Sequence, residues 1–300
     1  MSDDLNRTSQ LVIGTANGLH VSDGDDGAVL LAGESITAID AAGDDLWVLA
    51  GGRHLYRIAG RTPERVASVE DDAHAICLVV HSGTVWVGGN DARLWRLVGS
   101  RLDEVTAFGD APTSDEWHTP WGGPPDVFSM ASYGDDLYVS VHVGGILRTS
   151  DGKGWKSTID LHDDVHQVAV GPDGTVWAAT GRRGLAESRD RGSTWRYHRD
   201  GLHATYLLAV AATADGVLVG ASSGHAGRDG AVYRFGGQRF TRAVGLPDNF
   251  SGAVGPRQLA SAGGQAAVAL PSGDVYTSDD GGKKWARAAT GLPGIAAITC

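Results

Sequence analysis

Seven similar units follow one another along this chain, and their spacing of roughly 35 to 50 residues constrains the fold more than any other feature. Each unit consists of an apolar stretch, a turn rich in Gly and Asp, a strand that carries an aromatic residue, and a further strand flanked by Gly. The clearer copies begin at Asp44, Gly83, Asp135, Gly174 and Gly216, and the weaker ones at Leu11 and Gln265. Short strands joined by Gly-rich turns at this period are typical of four-stranded propeller blades. The sequence therefore predicts an all-β chain in which residues 1–300 form a single seven-bladed β-propeller domain.

The innermost strand of each blade, here called strand A, is expected to precede each unit in the sequence. Six such strands are visible for the seven units, and the first unit starts directly with its second strand. The chain ends on the apolar stretch GIAAITC, Gly294 to Cys300, which alone would be an aggregation-prone edge. We therefore expect Ile295 to Thr299 to pair beside the strand near Leu11 and to close the ring of four-stranded antiparallel blades. The six strands begin near Ile36, His74, Val127, Val165, Thr205 and Arg257.

A short motif with Ser, Asp, Gly and Trp at its first, third, fifth and eighth positions occurs twice in full. It is present as SRDRGSTW from Ser188 to Trp195 and as SDDGGKKW from Ser278 to Trp285. A contracted copy runs from Thr149 to Trp155, and a degraded one from Val21 to Gly27. Asp accepts hydrogen bonds from nearby backbone amides, Gly provides the positive φ of a tight turn, and Trp adds a large apolar surface. Because a catalytic site is rarely repeated along one chain, the motif indicates a structural hairpin turn.

These stretches resemble the Asp-box, or BNR, repeat of sialidase-like and YVTN-like β-propellers. A sialidase would imply an arginine triad, a tyrosine nucleophile paired with a glutamate, and an aspartate acid/base. The stretches YRIAG at Tyr56, WRLVG at Trp95 and YRFGG at Tyr233 echo the arginine motif, but they recur in third strands as a blade element. Seven blades also depart from the six that are usual for sialidases. The resemblance is closer to non-catalytic propellers such as photosystem-assembly factors, and it covers nearly the whole chain.

Chemistry is expected on the top face, where the A strands start and where the loops from strand D to A and from B to C surround the channel mouth. The repeated Asp–Gly turns join strand C to D and fall on the opposite face. An insertion at 109–126, with two Trp and several Pro, is predicted to be a lid or a binding platform over the top face. The candidate binding residues are Asp72, His74, Trp117, His118, Trp121, His142, Asp164, His166, Arg182, His203, Tyr206 and Arg257.

These residue types allow more than one chemistry. Arginine can hold a carboxylate or a phosphate, and His74, His142 and His166 could converge as three imidazole ligands of a divalent metal, with a carboxylate orienting them. No other cofactor is evident. We expect a binding or scaffold propeller whose central mouth holds a small anionic ligand, a metal or a protein partner. The alternative is an enzyme that uses this mouth, either a sialidase-like glycoside hydrolase or a His-ligated metal-dependent enzyme.

Composition narrows the choice of partner and compartment. The formal net charge of −11 argues against binding to nucleic acid or to an anionic membrane. There is no run of 18 apolar residues, and the polar start MSDDLNRTSQ lacks the regions of a signal peptide. Cys77 and Cys300 do not make a disulfide framework. We therefore expect a cytoplasmic monomer.

Overall fold

The structure, a computed structural model, describes residues 10–22 and 27–300, which form seven four-stranded antiparallel sheets. Each innermost strand packs beside the next around a closed ring. The prediction of a seven-bladed β-propeller is therefore confirmed. No helix in these two ranges has the length and apolar character needed to cross a membrane.

The strands are numbered in chain order, and the blades take the order of the units in the sequence. Blade 1 contains, from the channel outward, β28, β1, β2 and β3, and every other blade uses four consecutive strands. The bounds in blades 1 to 3 are β1 Leu11–Thr15, β2 Gly18–Ser22, β3 Ala28–Leu30, β4 Ile36–Ala42, β5 Asp45–Ala50, β6 His54–Ala59, β7 Thr62–Ser68, β8 Ala75–His81, β9 Thr84–Gly89, β10 Leu94–Val98 and β11 Arg101–Glu104.

The remaining blades follow the same pattern. Within residues 10–22 and 27–300, three short 3-10 turns lie between strands, at Thr106–Phe108, Ser114–Glu116 and Leu161–Asp163. The bounds in blades 4 to 7 are β12 Val127–Tyr133, β13 Asp136–Val141, β14 Gly145–Thr149, β15 Lys156–Ser157, β16 Val165–Val170, β17 Val176–Thr180, β18 Gly184–Ser188, β19 Arg196–His198, β20 Tyr206–Thr213, β21 Gly216–Ser222, β22 Ala231–Phe235, β23 Phe240–Arg242, β24 Leu259–Ala262, β25 Gln265–Ala269, β26 Val275–Ser278 and β27 Ala286–Ala289, and the closing strand is β28 Ala297–Thr299.

The C-terminal strand closes the ring as predicted. In the antiparallel pairing of β28 with β1, Ile298 lies opposite Ile13, and Thr299 opposite Val12. Both isoleucines are buried in one cluster with residues of blade 7. Closure therefore combines backbone pairing with apolar packing on both sides of the joint.

Five innermost strands share one irregularity near the top face. In each of them the register with strand B slips by one residue, which is the signature of a β-bulge. A bulge leaves one residue unpaired and re-aims its side chain. The extra residues are Thr37, Ile76, Phe128, His166 and Leu208.

The Asp–Gly turns join strand C to strand D, as predicted. Asp190 Oδ1 accepts a hydrogen bond of 2.8 Å from the Thr194 amide, and Asp280 Oδ1 accepts one of 2.9 Å from the Lys284 amide. The turns need glycine at 192 and 282, where φ is 84° and 83°. In the copy from Val21 to Gly27, residues 23–26 lie outside the described residues.

The insertion at 109–126 is anchored to the core between blades 3 and 4. Phe108, Ala111 and Trp117 are buried in one cluster with residues of both blades. The backbone of His118 bridges to Val143 by two hydrogen bonds of 3.1 Å. The insertion is therefore packed onto blade 4 beside the mouth.

Deletion of the last six residues, Ile295 to Cys300, tests the closure. It removes two buried isoleucines and exposes the edge of β1, so we expect the free energy of unfolding to fall by about 4 kcal/mol or more. Thermal unfolding and size-exclusion chromatography should show a lower Tm and self-association. Deletion of Cys300 alone is the control, and an unchanged monomer after the longer deletion would contradict the closure argument.

The Asp–Gly turn of blade 7 provides a second test. Trp285 is buried, and its indole Nε1 donates a hydrogen bond of 3.0 Å to the Gly282 carbonyl. Trp285→Ala should lower the free energy of unfolding by about 3 kcal/mol, because it removes a large packed side chain. Urea denaturation measures the difference. The exposed Trp121→Ala is the matched control and should change stability by less than about 0.5 kcal/mol; equal losses in both variants would refute the assignment of the turn to the core.

Candidate functional site

Three side chains from neighbouring blades converge at the channel mouth. His142 follows β13 in the B–C loop of blade 4, and Asp164 and His166 stand at the start of β16 in blade 5. One nitrogen or oxygen atom from each side chain lies within 4.8 Å of the others. The distance from Asp164 Oδ1 is 3.5 Å to His166 Nε2 and 3.9 Å to His142 Nε2. We call these three residues the mouth triad.

The position of Asp164 depends on its backbone and on a glycine opposite. Asp164 has the left-handed conformation, with a φ of 52°, directly after the 3-10 turn Leu161–Asp163. Its carbonyl accepts a hydrogen bond of 2.9 Å from the Gly181 amide, in the B–C loop of blade 5. A Cβ at position 181 would collide with the Asp164 carboxylate. Glycine at 181 therefore makes room for the carboxylate beside the imidazoles.

His166 is held in one orientation by its neighbour in blade 6. It is the bulge residue of β16, and its Nδ1 lies 2.7 Å from the Leu207 carbonyl oxygen. A carbonyl can only accept, so Nδ1 carries the proton and donates it. Nε2 is left to face Asp164. His142 has no such partner among the described residues: its Nδ1 is buried without a hydrogen bond.

Aromatic rings surround the triad. The His142 ring stacks on Phe128 at a centroid distance of 4.6 Å, and the Trp121 ring meets it edge-on at 5.3 Å. Tyr206 lies 5.1 Å from the His166 ring. Trp121 is 73% exposed, so its face is available to a ligand that enters the mouth.

Burial also sets the charge of the two imidazoles. Desolvation and, to a lesser extent, the nearby His166 lower the pKa of His142 to about 4, against an opposing effect of Asp164. Desolvation likewise lowers the pKa of His166 below its usual value. Both imidazoles are therefore neutral at pH 7, which is the form that binds a metal.

The remaining predicted residues of blades 2 to 4 stand apart from the triad. His74 is exposed, packs over Gly52 and is not part of the triad, and Asp72 lies 3.7 Å from Arg93. In the insertion, Trp117 is buried against Phe108, and Nδ1 of the exposed His118 lies 2.9 Å from the Glu116 carbonyl.

Blades 5 to 7 hold the other three predicted residues. Arg182 is exposed and adjoins Gly181. His203 lies between Asp229, 3.4 Å from Nε2, and the Tyr233 hydroxyl, 2.9 Å from Nδ1. Arg257 lies within the channel, where its Nη1 donates a hydrogen bond of 3.1 Å to the Phe128 carbonyl of blade 4.

Sequence reasoning missed three contributors to the site, namely Phe128, Gly181 and the Leu207 carbonyl. Phe128 resembles an ordinary core residue in an apolar strand, and only the bulge turns its ring onto His142. A backbone carbonyl carries no sequence signal. The glycine between Thr180 and Arg182 was a usable signal, because it adjoins a predicted arginine in a B–C loop.

The lower part of the channel contains another acid, which is half-buried and separate from the triad. Asp40, in β4, accepts hydrogen bonds from the Val80 amide at 2.7 Å and from the Ala41 amide at 3.0 Å. Burial raises the pKa of Asp40 to about 6 even though both hydrogen bonds lower it. The desolvation of this carboxylate therefore outweighs its hydrogen bonds.

The fold and the site define a seven-bladed β-propeller with a polar, aromatic-lined mouth. No family model and no curated protein sequence matches the chain. Among solved structures it is similar to virginiamycin B lyase from Staphylococcus aureus, with 12% identity, a TM-score of 0.61, and coverage of 86% of this chain and 85% of that one.

Two other propellers show how widely the fold is used. A computationally designed protein, Ika8, has 15% identity and a TM-score of 0.64 over 95% of this chain and 85% of its own. YCF48 bound to D1 peptide has 12% identity and a TM-score of 0.51 over 95% of this chain and 80% of its own. At these identities the likeness shows the fold alone, so function has to be argued from the site.

The pKa of Asp40 predicts a dependence of stability on pH. The folded protein holds the proton more tightly than the unfolded chain, whose Asp has a pKa of 3.8. The protonated Asp40 therefore stabilises the folded protein below pH 4. As the pH rises through 6 this stabilisation is lost, and the free energy of unfolding falls by on the order of 2 kcal/mol. Asp40→Asn should remove this slope, measured as the free energy of unfolding from pH 4 to pH 8. An equal slope in the variant would show that another group is responsible.

Proposed function

We propose that this propeller is a ligand-binding protein whose mouth triad holds a divalent transition metal. The metal in turn binds a small anionic ligand at its open positions. The proposal rests on His142, Asp164 and His166, and it replaces His74 by Asp164 in the expected ligand set because the carboxylate lies between the two imidazoles.

One observation carries the proposal, namely that two acceptor atoms face each other at the centre of the triad. The Leu207 carbonyl takes the Nδ1 proton of His166, so in a neutral imidazole Nε2 presents a lone pair. It presents that lone pair to Asp164 Oδ1, 3.5 Å away, which is buried and has no hydrogen-bond partner. Two buried lone pairs directed at one point are unfavourable without a cation between them.

The spacing and chemistry of the triad fit such an ion. Ligand atoms about 2.1 Å from a tetrahedral metal are roughly 3.4 Å apart. The pair Asp164–His166 already has this separation, and the pair Asp164–His142 exceeds it by a few tenths of an ångström. Two imidazoles and one carboxylate suit zinc, iron(II) or cobalt(II). The hydrogen bond from His166 to Leu207 is the outer contact that commonly orients a metal-binding histidine.

The surroundings indicate what the metal would bind. One carboxylate neutralises only part of a divalent charge, so an anionic ligand is favoured at the remaining positions. Trp121 offers an exposed ring beside His142, and Tyr206 lines the other side, next to His166. A small anion with an apolar or aromatic body therefore suits the mouth better than a sugar.

A metal-dependent enzyme is the second candidate. Three protein ligands leave an open position, as in catalytic rather than structural zinc sites, and a bound metal there can polarise a carbonyl or activate water. Sialidase-like hydrolysis is not favoured, because two of the three arginines in the repeated stretches form ion pairs within their own blades. Arg57 pairs with Asp45, and Arg234 pairs with Asp215.

Titration of the metal-free protein with cobalt(II) tests the proposal. We expect one cobalt per chain, with the visible absorption of a tetrahedral or five-coordinate site. His166→Gln and Asp164→Asn should each weaken cobalt binding by at least about 10-fold, because each removes a ligand.

The matched controls are His74→Gln and His203→Gln, which change histidines of the same face that lie outside the triad. Both should bind cobalt like the wild type. Equal weakening by His74→Gln would restore His74 to the ligand set, and stoichiometric binding that survives Asp164→Asn together with His166→Gln would refute the site.

A further inference from the structure

Arg257 spans the central channel from blade 7. Its carbonyl accepts a hydrogen bond of 2.8 Å from the Ile298 amide in blade 1. Its own amide lies 3.4 Å from Gln167 Oε1 in blade 5, and its Nη1 donates to the Phe128 carbonyl in blade 4. A left-handed backbone, with a φ of 66°, turns the side chain inward. Arg257 is therefore a channel residue that touches opposite sides of the ring.

The charge of Arg257 is not compensated by the described part of the protein. No carboxylate there forms an ion pair with its guanidinium, and the nearby ionisable group is the Cys77 thiol, whose pKa burial raises to about 12. The Arg257 Nε is buried and has no hydrogen-bond partner. Arg257 is half-buried. An arginine keeps its proton in a protein, and a guanidinium that is partly removed from water without a counter-charge is unfavourable. The guanidinium thus lacks a carboxylate partner and at least one hydrogen-bond acceptor.

The channel has room for the missing partner. Arg257 lines an open cavity of about 450 Å³ together with Cys77, Ser129 and Gln167. Asp40 lines the same cavity, but its two oxygens are bound to the backbone amides of Val80 and Ala41. That carboxylate is therefore not available as the partner of Arg257.

We propose that the channel below the mouth is a binding site for a small monocarboxylate, held by the guanidinium of Arg257. A carboxylate matches the fork of an arginine and supplies one negative charge for one positive charge. A phosphate dianion would bring a second charge into a cavity that already holds Asp40. The site is separate from the mouth triad and does not depend on a metal, although Phe128 contacts both through its ring and its carbonyl.

Acetate is the probe, used with EDTA so that the result is independent of the proposed metal. In the wild type, sodium acetate should raise Tm saturably relative to sodium chloride at equal ionic strength. The wild-type protein should also broaden the ¹³C signal of labelled acetate. Acetate should in turn shift a slowly exchanging arginine Nε–H signal of the protein. Arg257→Gln, which removes the charge, should abolish the Tm rise and the broadening.

Two further variants show whether the effect depends on the guanidinium of Arg257. Arg257→Lys keeps the charge without the fork, so it should bind acetate more weakly and should lack the shifted Nε–H signal. Arg96→Gln, an exposed arginine of β10, should behave like the wild type. If Arg257→Gln does not fold, the Nε–H shift in the wild type and its loss in Arg257→Lys decide the question.

Other outcomes would overturn the proposal. Acetate effects that persist in Arg257→Gln would place the binding elsewhere. The absence of any saturable acetate effect in the wild type would leave Arg257 as a purely structural cross-link. A larger effect of inorganic phosphate than of acetate would exclude the monocarboxylate. His166→Gln should still bind acetate, so a failure of the metal proposal is distinguishable from a failure of this one.

Discussion

The pairing of β28 with β1 is the interaction on which the rest of the structure depends. It turns a row of seven sheets into a ring, and a ring fixes the distance between strands that are far apart in the sequence. The contact from Arg257 to Phe128 joins residues 129 positions apart, across the channel. His142 and His166, which belong to neighbouring blades, meet at the mouth under the same constraint. The pairing of Ala297, Ile298 and Thr299 with β1 therefore helps to fix the distances within the mouth and across the channel.

The mouth and the channel contain residues whose backbone conformation or missing hydrogen bonds lower the stability of the fold. Asp164 and Arg257 both adopt left-handed backbone conformations without being glycine, and buried nitrogen or oxygen atoms of His142, Asp164 and Arg257 lack hydrogen bonds. Among the described residues, only Asp164 and Arg257 combine a left-handed backbone with a buried side-chain atom that lacks a hydrogen bond. Strain of this kind persists only where the surrounding structure holds it, and it tends to cluster at functional sites.

The repeats in the sequence were sufficient to predict the blades, their number and the closing strand, because Gly–Asp turns and strand alternation are local signals. The histidine pair His142 and His166 was also within reach, since both lie in segments that the blade pattern assigns to the top face. The complete set of residues in the mouth triad was harder to predict. Asp164 joins the triad through a left-handed backbone, and Phe128 contacts His142 through a bulge, and neither feature leaves a distinct trace in one sequence. Trp117 was expected at a binding surface, yet apolar neighbours such as Phe108 enclose it.

The hydrogen bond from His166 to the Leu207 carbonyl has a consequence for how such a protein can change. The hydrogen bonds that Asp190 and Asp280 accept come from amides of their own turns, so duplication of a blade copies these hydrogen bonds. The mouth triad is divided between blades 4 and 5, and its orientation comes from blade 6. Duplication of a blade therefore copies its strands and turns but not a complete site. A new site can arise where two blades meet, without a change in the repeated strands and turns.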